Sequence, residues 1–176
     1  MSMTFIQHVE LPSNQTQIDF NSIPTTFTDL VVKLSLRFSD AITFDDVNWT
    51  INGSSSGYSA RTLSGSGSGV NSYTESGSSF QFTIGAIGTS LTSNTFGNAE
   101  IYIPNYRAST SKSVSIDMIW ENNATLGVQK ITAGVWSNND PITSLSFTKA
   151  GRTFVQGSSA TLYGITRGSN GGVTVS

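Results

Sequence analysis

Few side chains in this sequence are able to do chemistry. There is one imidazole, His8, no cysteine, and a total of eleven Asp and Glu residues. Without a thiol there is no disulfide framework, no thiolate zinc site, no cysteine nucleophile and no iron–sulfur cluster. Acyl transfer through a Ser–His–Asp arrangement would have to use His8 as its base. That residue sits in an alternating N-terminal pattern, far from any Gly-x-Ser-x-Gly elbow leading into a helix, and reads as an ordinary strand histidine. The one local acidic cluster is Asp40, Asp45 and Asp46. Its oxygens would suit a hard cation such as calcium, or a carboxyl pair for glycoside cleavage, which needs a separation of about 5–9.5 Å. The cluster lacks Asp-x-Asp-x-Asp-Gly spacing and flanks a short link between two strand patterns, where acidic residues serve a solvated turn. The run Ser64-Gly65-Ser66-Gly67-Ser68-Gly69 is followed by neither Gly-Lys-Ser/Thr nor a helix start, so it is a loop and not a phosphate cradle. No catalytic, metal-ligating or cofactor-binding residue is expected, and no cofactor.

Aromatic side chains offer a different chemistry, since exposed rings stack on sugars and on partner surfaces. Trp49 and Trp120 fall on the apolar faces of alternating segments and are expected in the core. Trp136, Tyr102, Tyr106 and Tyr163 fall near segment ends or on nominally polar faces. They are the expected candidates for an oligomer contact or a glycan platform.

The elements that must position these residues are strands. Period-2 alternation recurs along the chain, and apolar residues nowhere keep a 3.6 spacing for more than a turn. The clearest segment is 30–37, with Leu30, Val32, Leu34 and Leu36 on one face. Segment 47–51 places Val47, Trp49 and Ile51 on one side, and Asn52-Gly53 follows with the turn chemistry of a hairpin. Further strands are expected at 80–84, 99–103, 113–120, 128–136, 142–147 and 161–165, with weaker ones at 5–11, 17–20, 58–63 and 153–156. Many short strands without helices bury their faces only by packing sheet on sheet or by closing into a barrel. The expected fold is all-β, a single-domain antiparallel β-sandwich of jelly-roll type over residues 1–176. A mobile Ser/Gly-rich loop is expected around 64–69, because 53–79 holds six Gly and eleven Ser. No fixed-period repeat or heptad marks a fibre shaft.

Charged residues make up 11% of the chain, well below the roughly 25% of an average soluble protein. The surface is therefore polar but nearly neutral. A net charge of -2 with unclustered Lys and Arg argues against a phosphate-tracking groove or a basic membrane-binding patch. Neither nucleic acid nor membrane is an expected partner. The N-terminal residues lack a secretory pattern, so synthesis in a cytoplasm without classical export is expected.

Three segments go beyond physical pattern: Phe96-Gly97-Asn98-Ala99-Glu100-Ile101-Tyr102-Ile103-Pro104-Asn105-Tyr106, Ala133-Gly134-Val135-Trp136-Ser137-Asn138, and Ala160-Thr161-Leu162-Tyr163-Gly164-Ile165. In order and spacing the chain resembles a family of small β-rich virion structural proteins of tailed phages of aquatic bacteria and cyanobacteria. The resemblance extends to 19–24 and 58–61. It implies a non-enzymatic protein on the particle exterior, and it carries no catalytic motif to transfer. The expected role is a capsid decoration or cement protein, homotrimeric, bound to the major capsid protein. The alternative is a tail-fibre or receptor-binding tip that contacts other tail proteins and a host-surface glycan. Either role places the chain on the virion surface after synthesis in the host cytoplasm.

Overall fold

The computed structural model describes residues 2–122 and 125–166, and among them there are strands but no helix. In chain order the strands are β1 (Ser2–Glu10), β2 (Gln17–Phe20), β3 (Asp29–Leu36), β4 (Phe44–Ile51), β5 (Tyr58–Gly65) and β6 (Val70–Gly77). They continue with β7 (Phe80–Ile87), β8 (Gly97–Ile103), β9 (Lys112–Glu121), β10 (Gly127–Trp136), β11 (Leu145–Thr148) and β12 (Ser159–Thr166). An eight-stranded sheet has the order β1-β12-β3-β8-β9-β10-β5-β6, and a four-stranded sheet the order β2-β11-β4-β7. All neighbours within the sheets are antiparallel. The fold is a β-sandwich, as the alternation predicts. Its division into eight and four exceeds the eight strands of a simple jelly roll.

Alternation builds the core directly. On β9, Val114, Ile116, Met118 and Trp120 face inward, between the exposed Ser113, Ser115, Asp117, Ile119 and Glu121. From the smaller sheet come Ile18, Phe20, Val47, Trp49, Ile51, Leu145 and Phe147, all buried. Trp49 centres this layer, stacked at 4.4 Å on Phe80 and at 6.0 Å on Phe147, with its Nε1 donating to Thr83 Oγ1 at 2.9 Å. Fully burying one such ring is favourable by roughly 1.5–3 kcal/mol, and the indole N–H is satisfied as burial requires.

Several expectations change. Asn52 and Gly53 do form the turn, with φ of 53° and 64°, and Ser54 N closes it on Ile51 O at 2.9 Å. It is not a hairpin turn, because β4 pairs with β11 and β7 while β5 pairs with β10 and β6. The chain crosses between sheets there, held by the Tyr58 hydroxyl, which accepts from Ile51 N at 2.8 Å. Segment 153–156 is not a strand; Phe154 makes only isolated bridges to Gln15 and Phe38. Ile142 is buried but precedes β11, which begins at Leu145. The glycine-rich stretch is largely a β-hairpin: β5 runs to Gly65 and β6 starts at Val70, leaving 66–69 as the connection.

Candidate functional site

The unequal sheets leave an opening. Strand β7 is the edge of the smaller sheet and runs across the strands of the larger one, touching β6 and β5 near its start and reaching Arg37 through the bridge at Ile87. The β5–β6 and β9–β10 hairpins extend past it. Their inward residues there are only partly covered by β4 and β7 and border a cleft of about 600 Å³. One wall carries Ser64, Asn71 and Tyr73 from β5 and β6, with Val128, Lys130 and Trp120 from β10 and β9. Phe44 and Asp46 of β4 and Phe82 of β7 form the other.

Two charged side chains complete the edge of β7, and a third, Asp46 of β4, holds one of them. An edge strand presents backbone groups without a ladder partner, and these must be satisfied when covered. Glu75 of β6 does this through Oε2, which accepts from Gln81 N at 3.1 Å and Phe82 N at 2.8 Å. Lys130 of β10 donates to Phe82 O at 3.2 Å and to Asp46 Oδ1 at 2.7 Å, and its ammonium lies 4.9 Å from the centroid of the Phe44 ring. Burial raises the pKa of Glu75, against the two backbone N–H bonds that favour its ionised form. Burial likewise raises Asp46, with the Lys130 charge and hydrogen bond pulling it down. Both carboxyls are thereby tied to structural donors, so the arrangement is built to hold shape and bind.

The cleft floor is aromatic. Phe44 stacks on Trp120 with centroids 5.1 Å apart and planes 16° apart. Gly85 makes room for it, since a Cβ at that position would lie 2.3 Å from Phe44 Cζ. Trp120 Nε1 is buried without a hydrogen-bond partner, as is Glu75 Oε1. Tyr73 is 40% exposed and Phe82 45% exposed, which makes them the accessible rings of the cleft.

The residues singled out from sequence scatter. His8 lies on β1 with Nδ1 2.8 Å from Thr161 Oγ1, and its Nε2 is 3.9 Å from Glu10 Oε2. The acidic cluster divides. Asp45 pairs with Lys149 and Arg152, each at 3.0 Å, and Asp40 with Arg152 at 3.3 Å, while Asp46 turns to Lys130 in the cleft. Burial alone would raise Asp45, but hydrogen bonds from Lys149, Arg152 and the Asp46 N–H outweigh it and hold its pKa below the usual value. Among the described residues no group of three or more His, Asp or Glu is placed to hold a metal ion.

Trp49 and Trp120 are in the core as expected. Trp136 and Tyr106 are also fully buried, which removes both from any exposed platform. Trp136 follows the inward parity of β10, and the Tyr106 hydroxyl donates to Pro24 O inside the fold. Tyr102 and Tyr163 are half-buried on the outer face of the larger sheet, Tyr102 donating to Asp29 Oδ2 at 3.1 Å. Sequence reasoning missed Tyr73 and Phe82 as accessible aromatics and Phe44 as the ring beneath them. Phe82 shares the parity of Phe80 and Ile84, yet a register shift opposite Val47 and Trp49 turns it outward.

The outer face of the same sheet carries a second feature. Leu63 of β5 stands directly opposite Ile131 of β10, and the two are 51% and 55% exposed. Ile119 on β9, Val135 on β10 and Val70 on β6 add exposed apolar surface on the same side. Towards the middle of the sheet the face turns polar, with Lys33 paired to Glu100 and Asp117 alongside. Comparison with protein-family models, with curated proteins and with solved structures finds no match for this chain.

Proposed function

We propose that this chain is a non-enzymatic structural protein of a bacteriophage particle, a capsid decoration or cement module that docks on the assembled shell through the outer face of its larger sheet. The observation that carries the reading is the exposed apolar group Leu63, Ile119, Ile131, Val135 and Val70 on the outer face of the larger sheet. Contiguous apolar surface of this kind marks an interaction site on a soluble protein. The partner on this reading is the major capsid protein, with a second and third copy of the chain completing a trimer over a symmetry axis. Placement on a phage particle is supported by the resemblance of 96–106, 133–138 and 160–165 to virion proteins.

The test is the position of the chain's density in an intact particle. Many copies at capsid symmetry axes, with the outer face of β5, β9 and β10 against the shell, are expected. A few copies confined to the tail would overturn the decoration role in favour of a receptor-binding tip. Release of new reducing ends from host polysaccharide by the purified chain would overturn its non-enzymatic character.

A further inference from the structure

We infer that the cleft beyond the edge of β7 is a binding site for a neutral, hydroxyl-rich saccharide, with Tyr73 and Phe82 as its stacking rings. The inference does not rest on the docking reading, which concerns the opposite face of the sheet.

Three features of the cleft converge on that ligand class. Its volume of about 600 Å³ lies within the range of small-molecule sites, about 300–1,000 Å³. Two accessible rings come from different sheets, Tyr73 from β6 and Phe82 from β7, so both sides of the opening offer an apolar face. Sugar rings present C–H faces to such side chains while their hydroxyls point to the edges. Those edges are polar and uncharged at Ser64, Ser66 and Asn71, which donate and accept in the manner that hydroxyl groups require.

Charge selects against the alternatives. The cation in the cleft, Lys130, is matched by Asp46 at 2.7 Å and also gives a hydrogen bond to Phe82 O, so an anionic sugar or phosphate finds no unmatched positive charge. A wholly apolar peptide would cover Ser64, Ser66 and Asn71 without replacing their water, which is unfavourable. A neutral saccharide meets both constraints.

The experiment uses the full chain and soluble neutral oligosaccharides of glucose, galactose and mannose, with a polyuronate fragment and an apolar peptide as comparison arms. Binding is read by saturation-transfer NMR and by tryptophan fluorescence, with Tyr73→Ala/Phe82→Ala as the test variant and thermal melting as the folding control. The rings are 40% and 45% exposed, so truncating them removes only part of a packed surface and the double variant is expected to stay folded at the temperature of the binding measurement. At least one neutral oligosaccharide is expected to bind, and the variant to bind it about tenfold more weakly or worse. Absence of binding by every neutral oligosaccharide at its solubility limit would overturn the inference. Undiminished binding in a folded double variant would do the same, as would binding confined to the polyuronate or the peptide. Docking on particles is a separate measurement, so either reading can fail alone.

Discussion

Strands β9 and β10 pair in register from Gly127 opposite Glu121 to Trp136 opposite Lys112, yet they distribute their residues in opposite ways. On β9 the inward positions are apolar after the buried Lys112, and the outward ones are Ser113, Ser115, Asp117, Ile119 and Glu121. On β10 the inward positions include Lys130, Thr132 and Gly134, while Ile131 and Val135 face out. Each of these three inward residues of β10 has a specific partner. Lys130 completes β7 and meets Asp46, Thr132 Oγ1 lies 2.7 Å from Thr62 Oγ1, and Gly134 leaves space for Phe80. An ordinary strand such as β9 needs only hydrophobicity inside. A strand beside a cleft needs polar groups there, and its outward apolar residues Ile131 and Val135 stay exposed among the described residues.

The largest way to break this contrast is Lys130→Met. The replacement keeps the bulk of the stem but leaves the Asp46 carboxylate and Phe82 O without their donor. Loss of one partner of a buried pair costs about 3–5 kcal/mol, to be measured by urea unfolding at neutral pH. The loss is expected to shrink in acid. A carboxyl whose pKa is raised in the folded chain holds its proton more tightly there than when unfolded, so its contribution to stability falls as pH rises through the interval between the two values. Without Lys130 that interval widens upward. The variant should therefore regain stability relative to the parent as pH drops through it. A loss independent of pH would show that Asp46 is solvated and that the cleft is wetter than its geometry implies.

A smaller effect is expected from Gly134→Ala. The added Cβ would lie 2.7 Å from Val114 Cγ2 and 2.8 Å from Phe80 Cε1, so the intersheet contact at Phe80 must shift. Overpacking of this kind costs typically about 1–3 kcal/mol, read as a lower urea midpoint. The outward neighbour supplies the control for packing: Ala133→Ser should leave the midpoint nearly unchanged because Ala133 faces solvent.

The same contrast explains what the sequence could disclose. Strands such as β3, β8 and β9 were legible because their inward faces meet the core, and burial imposes a period of two. Strand β6 was not, since its inward residues Asn71, Tyr73 and Glu75 line or support a cleft edge and carry no apolar alternation. Trp136 falls at the end of its segment, and only the pairing of β10 with β9 and β5 places it on the inward side. Asn52-Gly53 announced a turn correctly, but turn chemistry does not say which sheet receives the next strand. Cations were illegible for a related reason. Arg37 donates to the carbonyls of Leu91, Thr92 and Thr95, and Lys112 to those of Ala108, Thr110 and Asn138, so each clasps a loop from inside. Such partners are distant in sequence or carry no side-chain signature.

The smallest change in stability, and the one that sharpens the comparison most, is expected at the outer face. Ile131→Thr and Leu63→Thr keep β-branched or strand-compatible character and remove apolar contact between two side chains that are more than half exposed. A cross-strand pair of this kind contributes roughly 0.2–1 kcal/mol, so the urea midpoint of the double variant should move little. On the proposed decoration role, binding to phage particles should nevertheless fall sharply, because burying two aliphatic side chains against a partner is favourable by up to about 1.5–3 kcal/mol each. If the double variant decorates particles as well as the parent, the outward apolar residues of β10 and β5 have no partner on the shell. A large loss of stability with unchanged binding would instead assign them to the fold itself, and the inversion between β9 and β10 would then be a property of the isolated sandwich.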